Sequence, residues 1–223
     1  MKEILNRYDV PLVIDDTVGT VYNLDVLPYA DMVVSSLTKF FCGSGRVMGG
    51  ALVLNPASPF FKRFHGALKE SYEDTLYDAD AVLLAENAKD FENRMVQTNK
   101  NAEELADFLN AHAAVKTLNY PKYIGRDHYD VLKRPQGGYG GLLSFTVEGG
   151  EAAFRKVYDN LPVHKGPSLG TSFTLVTPYT LIAHYHELEE VEAHGVSRHL
   201  IRVSVGIEDI EDLLARFNYA LLP

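Results

Sequence analysis

The chain opens with three short runs of apolar residues that do not alternate with polar ones. They cover residues 12–14, 32–35 and 50–54, and Asn55-Pro56 stops the last of them. Continuous runs of this length predict strands of a sheet covered on both faces, as in α/β proteins. A short helix over 3–8 precedes the first run. The first part of the chain therefore predicts a piece of a parallel-type sheet.

The hydrophobic period then changes to that of a helix. It predicts one helix from Pro59 to about Glu73 and mostly helical structure from Ala79 to about Leu109. A helical stretch of the second length suggests a chain that leaves one domain and enters the next. We therefore expect residues 1–95 to belong to a larger sheet domain and residues 96–223 to form a small C-terminal domain.

The second half mixes strands and helices, as expected for a small α+β domain. Asp209 is a candidate cap for a last helix that runs to about Leu221. Residues 120–141 are rich in glycine and proline and predict a loop, and residues 162–177 predict an extended, turn-rich segment. The remaining predicted elements are strands over 115–118, 142–147 and 200–205, and helices over 151–158 and 187–193.

Composition and charge argue against several kinds of binding partner and indicate a cellular compartment. The 223 residues carry a formal net charge of −9, which argues against binding to nucleic acid or to anionic membranes. No window is apolar enough to span a bilayer, and the first residues lack the apolar core of a signal peptide. The single cysteine excludes an internal disulfide and fits a reducing compartment. We therefore expect a cytoplasmic protein.

The most informative polar residues follow the first two apolar runs. Asp15 ends the first run, and Lys39 comes shortly after the second. The carboxyl ends of strands in an open α/β sheet form the ligand crevice. A lysine that forms a Schiff base and an aspartate that pairs with a pyridinium nitrogen suit pyridoxal 5'-phosphate (PLP). Ser36 and Thr38 add hydroxyl groups that could donate to its phosphate.

The same residues also have ordinary structural interpretations. Lysines after strands are usually solvated, and an Asp-Asp-Thr segment is as able to cap a helix as to hold a cofactor. His184, His186 and His194 lie close together in the sequence, but their spacing does not match His-Glu-x-x-His, and we expect no metal site.

Five segments, in order, resemble motifs of the Cys/Met-metabolism family of PLP-dependent enzymes. That family contains cystathionine γ-synthase, cystathionine lyases and homoserine-ester sulfhydrylases, and residues 73–74 and 86–91 are most similar to its fungal cystathionine γ-synthase branch. The five segments are V-I-D-D-T at 13–17, S-L-T-K at 36–39, V-M-G-G at 47–50, S-L-G at 168–170 and I-R-V-S-V-G-I-E-D at 201–209.

The resemblance implies a fold and a cofactor site. The fold would be PLP-dependent transferase fold type I, with the C-terminal part of the large parallel-sheet domain followed by the small α+β domain. Lys39 would hold PLP and then move protons, and Asp15 would keep the ring nitrogen protonated. Ser36 and Thr38 would bond the phosphate and its surroundings.

The resemblance also implies the substrate side of the site. Arg202 would bind the α-carboxylate of a small amino-acid substrate, and Ser168 would line the pocket beside the lysine. The implied reaction is γ-replacement on an activated homoserine ester, in an enzyme that is a homo-oligomer in the family. O-acylhomoserine sulfhydrylase or cystathionine lyase chemistry is the alternative, because the motifs do not separate these reactions.

Two departures from the family pattern qualify this expectation. Asp16 replaces the usual asparagine, which we expect to add a negative charge beside the cofactor pocket. The front half of the family fold, which supplies further phosphate and ring contacts, does not match any part of this sequence. We therefore expect weak activity or none from this polypeptide alone. An N-terminally truncated, catalytically inactive pseudoenzyme or subunit partner is the alternative of another class.

Overall fold

Two β-sheets and one long helix organise residues 2–222, the part of the chain that the computed structural model describes. Within these residues no helix is long and apolar enough to cross a membrane. The strands are β1 Val13–Asp15, β2 Met32–Ser36, β3 Gly50–Leu54, β4 Val115–Asn119, β5 Leu142–Val147, β6 His164–Lys165, β7 Leu175–Pro178 and β8 Ile201–Ser204. The helices are α1 Lys2–Arg7, α2 Thr20–Asn23, α3 Phe61–Ser71, α4 Asp78–Asn87, α5 Phe91–Ala111, α6 Arg126–Asp130, α7 Gly150–Asn160, α8 Tyr179–Ala183, α9 Leu188–Ala193 and α10 Ile210–Leu221.

The first sheet has the order β1-β2-β3 and is mixed. β1 and β2 run parallel, with Val13 opposite Met32, whereas β2 and β3 run antiparallel, with Ser36 opposite Gly50. A parallel return would need a crossover from one end of the sheet to the other. The connection from β2 to β3 instead turns back on itself at the same end, which makes the third strand antiparallel.

The sequence predicted a sheet covered on both faces, but the described residues leave parts of both edge strands exposed. Val13 is 47% exposed, Leu52 42% and Val53 48%. Only the central strand has a well-buried position, Val33, which packs with Val26 and Ala30. An uninterrupted apolar run indicates a buried strand, but it does not identify the residues that cover that strand.

The second sheet has the order β4-β5-β8-β7-β6 and separates an apolar face from a polar one. Phe145, Val176 and Val203 point into the main core, which α5, α7 and α10 cover. Side chains alternate between the two faces of a strand. Arg202 therefore lies on the opposite face, in register with Ser144 on β5 and Thr177 on β7.

Helix α5 packs on two different clusters along its length. Near its start, Phe91 and Met95 pack with Phe40, which follows Lys39 in the chain. Farther along, Ala102 and Leu105 are fully buried in the core of the second sheet. The predicted division at residue 95 falls inside this continuous helix, and it stays a prediction.

The predicted cap of the last helix is confirmed. Asp209 Oδ1 accepts hydrogen bonds from the amides of Glu211 and Asp212, at 3.0 and 3.2 Å. The loop predicted over residues 120–141 contains the short helix α6, and two other short helices, α2 and α8, were not predicted; each has four or five residues. Helices this short carry too few turns to produce a readable hydrophobic period.

Candidate active site

Lys39 lies in a tight turn, Leu37–Phe41, that directly follows β2; we refer to this segment as the lysine turn. The backbone of Lys39 departs from helical geometry, with φ −88° and ψ −127°. Its Nζ donates a hydrogen bond to Ser168 Oγ at 3.2 Å. Two residues that are far apart in the sequence are thereby brought together as the family resemblance implied.

The S-L-G segment reaches the lysine turn through a backbone-to-backbone contact at Gly170. A Cβ at this position would lie 2.3 Å from the nitrogen of Phe40 and 2.7 Å from the carbonyl carbon of Lys39. Gly170 also has a φ of +76°, and its amide donates to Ser204 Oγ at 2.7 Å. Only glycine suits both the positive φ and the close approach.

Arg202 completes this side of the site from β8. Its Nη2 donates to the carbonyl oxygens of Pro167 and Ser168, at 2.7 and 3.0 Å. Its guanidinium lies 5.3 Å from the ring centre of Tyr179, a cation–π distance. Its Nε is buried without a hydrogen-bond partner among the described residues, so a donor is left for a ligand. Burial lowers the pKa of Arg202, but an arginine remains charged at any physiological pH.

Asp15 and Ser36 form a second group, at the ends of β1 and β2. Asp15 Oδ1 accepts a hydrogen bond from the amide of Thr17 at 2.9 Å, and Thr17 Oγ1 accepts one from the amide of Ser36 at 2.8 Å. Asp15 and Ser36 also line one pocket of about 600 Å³, together with Tyr72. Thr17 thus ties the two strand ends together.

Thr38 faces a different neighbour. Its hydroxyl donates to the carbonyl of Gly49 at 3.4 Å and accepts from the amide of Gly49 at 3.1 Å. These bonds join the lysine turn to the start of β3. Thr38 therefore already uses its hydroxyl within the protein, which is a structural role that the sequence did not indicate.

Asp16 points away from the pocket that Asp15 lines. It is only 7% exposed, and it lines a mostly apolar cavity of about 250 Å³ with Val33 and Ala51. Consecutive residues of a strand point to opposite faces. The expectation that Asp16 adds a charge beside the cofactor pocket is therefore wrong in its geometry. Burial raises the pKa of Asp16; a hydrogen bond from Ser35 opposes this, and the charge of Asp15 adds to it.

The structure thus brings the predicted residues into two groups: Lys39, Ser168 and Arg202, and Asp15 with Ser36. Sequence reasoning missed Thr17, Tyr179 and Arg94, which support these groups. Arg94 had a signal. It lies among the apolar positions of α5, next to Met95, and a charged residue on an apolar helix face is expected to have buried partners.

The comparison with known proteins decides the family. The sequence profile described as Cys/Met metabolism PLP-dependent enzyme matches residues 1–222. The chain belongs to this family. A cystathionine gamma-synthase from Neurospora crassa is 45% identical over 222 residues, and one from Saccharomyces cerevisiae is 42% identical over 230 residues. Each match covers 99% of this chain and 36% of the relative, so the chain spans about a third of the length of these curated relatives.

A solved structure confirms the predicted fold class. A cystathionine gamma synthase from Xanthomonas oryzae pv. oryzae, in complex with aminoacrylate and cysteine, superposes with a TM-score of 0.84 at 30% identity. The match covers 98% of this chain and 57% of that one. The chain therefore has the α/β fold of PLP-dependent transferases of fold type I over the part that it spans.

The residues of the site fit the cofactor of this family. Lys39 offers an amine held by one hydroxyl, and Asp15 offers an exposed carboxylate on the neighbouring strand end. The buried Nε of Arg202, which has no partner among residues 2–222, is a donor that an anionic substrate group would satisfy. An amine, a carboxylate and a free guanidinium donor are the groups that PLP and an amino acid require.

Replacing Gly170 by alanine should disrupt the contact with the lysine turn. We expect Gly170→Ala to lose about 1–3 kcal/mol of unfolding free energy beyond the loss in Gly125→Ala, since the new methyl group overpacks the backbone of Phe40. Gly125 is the matched control, because its φ is +73° and no atom lies within 4 Å of the added Cβ. Urea unfolding measures both. Equal losses would show that the contact at Gly170 is loose.

Replacing Asp16 by asparagine should stabilise the protein in a pH-dependent way. Because the pKa of Asp16 is raised in the folded state, wild type loses stability as the pH rises from the usual carboxyl value of 3.8 through the raised one. The unfolding free energy of Asp16→Asn should therefore exceed that of wild type increasingly as the pH rises through the raised pKa, and the difference should stay constant above it. Below the usual value both side chains are neutral and nearly isosteric, and the two proteins should agree. A difference that does not change with pH would contradict the assignment.

Proposed function

We propose that this chain carries the lysine side of a PLP site that performs γ-replacement on an activated homoserine ester, as in cystathionine γ-synthases. The observation that carries the proposal is the meeting of Lys39 and Ser168 at 3.2 Å, on a segment that Arg202 holds by two carbonyl bonds. The lysine, the hydroxyl and the cation come from three separate parts of the chain, and a chance surface lysine would not be enclosed in this way.

In this proposal Lys39 is the attachment point of the cofactor and moves protons at the substrate. PLP supplies an electron sink for the carbanion formed next to the amino group. An ε-amine that accepts and returns a proton must lie within hydrogen-bond reach of the reacting carbon. The bond to Ser168 holds the lysine side chain in one direction, which favours such a position.

Asp15 and Ser36 serve the ring and the phosphate. The exposed carboxylate of Asp15 would pair with the ring nitrogen and keep it protonated, since an adjacent negative charge favours the charged form. Ser36 lines the same pocket and would donate to the phosphate. Thr38 would contribute to the phosphate site mainly by joining the lysine turn to Gly49.

Arg202 binds the substrate α-carboxylate in this proposal. Its Nη2 is occupied by two carbonyl groups, and Nε is the buried donor without a partner among the described residues. Charge-assisted bonds from a guanidinium to a carboxylate are short and directional. Ser168, whose carbonyl Arg202 holds, would line the pocket between the carboxylate and Lys39.

We further infer that the protein to which this sequence belongs acts as a homo-oligomer in the cytoplasm on a small amino acid. Two observations support this setting. Apolar side chains of β3, Leu52 and Val53, are exposed in the described residues, and such patches commonly mark contact surfaces. The single cysteine, Cys42, is free and buried, which fits a reducing compartment.

Replacement of Lys39 by alanine tests the cofactor site directly. Purified wild-type chain mixed with PLP should develop the visible absorbance band of a lysine-bound cofactor, and Lys39→Ala should lose it. Lys100→Ala is the control, because Lys100 is an exposed lysine of α5. A band that survives in Lys39→Ala, or no band in wild type, would overturn the proposal and favour an inactive pseudoenzyme or subunit partner.

Product analysis then separates the reactions. With an acyl-homoserine and cysteine, γ-replacement yields cystathionine. Sulfhydrylase chemistry would instead require sulfide as the thiol, and lyase chemistry would consume cystathionine on its own. Product formed only with sulfide, or turnover of cystathionine alone, would contradict the proposed reaction and leave the cofactor site intact.

A further inference from the structure

Arg94, near the start of α5, binds the lysine turn through its guanidinium. It is 8% exposed. Its Nη1 donates to the carbonyl of Phe40 at 2.8 Å, and its Nη2 donates to the carbonyl of Phe41 at 2.7 Å. Nη2 also donates to the carbonyl of Asn87 at 2.9 Å, and Nε donates to Asp90 Oδ1 at 2.8 Å. All three guanidinium nitrogens are thus in use.

The carbonyls that Arg94 binds are those that the turn leaves open. The amides of Cys42 and Gly43 close the turn by donating to the carbonyls of Leu37 and Lys39, respectively. The last carbonyls of a helical turn have no partner within it and need one from outside. A guanidinium presents its donors in a rigid planar fork, which can bind both carbonyls together.

Gly43 shows how closely the guanidinium approaches the turn. It has a φ of +71°, and a Cβ at this position would lie 2.3 Å from Nη1 of Arg94. The chain therefore uses the absence of a side chain here to admit the guanidinium. Gly43 also accepts a bond from the amide of Ser172 at 2.7 Å, which ties the end of the turn to the segment after Gly170.

The lysine turn is consequently held from two sides. Gly170 packs against the backbone between Lys39 and Phe40 on one side, and Arg94 binds the carbonyls of Phe40 and Phe41 on the other. A shift of Phe40 would move the adjacent Lys39 relative to Ser168.

We propose that Arg94 is a positioning residue that fixes the direction of the Lys39 amine through the carbonyls of Phe40 and Phe41. This inference rests on the proposed function of Lys39 as the attachment point of PLP. Displacement of a reacting group by about 1 Å can cost on the order of a hundredfold in rate. Arg94 thereby acts on the chemistry without touching the cofactor or the substrate.

The test is the rate at which Lys39 reacts with PLP, compared in wild type and Arg94→Lys. A lysine keeps the charge but offers one ammonium in place of the fork. PLP is added, borohydride fixes the adduct, and mass spectrometry gives the labelling rate of Lys39 relative to the exposed Lys100 in the same molecule. We expect this ratio to fall about tenfold in Arg94→Lys.

Arg155→Lys is the matched control, since Arg155 forms an exposed i,i+4 pair with Glu151 on α7. Its ratio should equal that of wild type. A role of Arg94 in stability alone would lower the melting temperature without changing the ratio, and an unchanged ratio in folded Arg94→Lys overturns the proposal. Hydrogen exchange of the Cys42 and Gly43 amides is the second readout, and it should become faster in Arg94→Lys.

Two further outcomes are distinguishable. If Lys39 of wild type is not labelled above Lys100, the proposed function fails; exchange at Cys42 and Gly43 then still decides whether Arg94 holds the turn. If Arg94→Lys does not fold, Asp90→Asn replaces it. The Asp90 side chain is 61% exposed, and this substitution weakens only the hydrogen bond that Arg94 Nε donates. We expect a fall of about two- to threefold there, and an unchanged ratio would overturn the proposal.

Discussion

The close backbone contact between Gly170 and the lysine turn is the constraint on which the site depends. It joins the two sheets at the point where β2 ends, because Gly170 is held by Ser204 on β8 and packs against the peptide of Lys39 and Phe40. Beside this contact Ser168 reaches Lys39, and Arg202 holds the carbonyl of Ser168. One glycine thus links the sheet that carries the lysine to the sheet that carries the arginine.

Long helix α5 reinforces this link from the other side. Its first turns bind the lysine turn through Arg94 and Met95, and its later turns lie in the core of the second sheet around Leu105. The lysine turn and the sheet that carries Arg202 therefore pack against the same helix. This arrangement places a buried cation, Arg94, beside the turn and a second cation, Arg202, on the far side of Ser168.

Much of the fold followed from the sequence, and the exceptions have identifiable physical causes. Six of the eight described strands, the long helix and the Asp209 cap were predictable because they depend on local period and local hydrogen bonds; β6 and β7 lie in or beside a segment predicted only as extended and turn-rich. The antiparallel direction of β3 was not, since it depends on how residues 37–49 turn back. The direction of Asp16 and the four contacts of Arg94 were also missed, because strand faces and buried partners are tertiary properties.

Motif order indicated Lys39, Ser168 and Arg202 as candidates for the site, but only the fold shows how they meet. The most direct test is a crystal structure of the chain grown with PLP and reduced with borohydride. The account predicts density continuous from Lys39 Nζ into the cofactor, with the ring nitrogen facing Asp15. Cofactor bound to another lysine, or a ring turned away from Asp15, would contradict it.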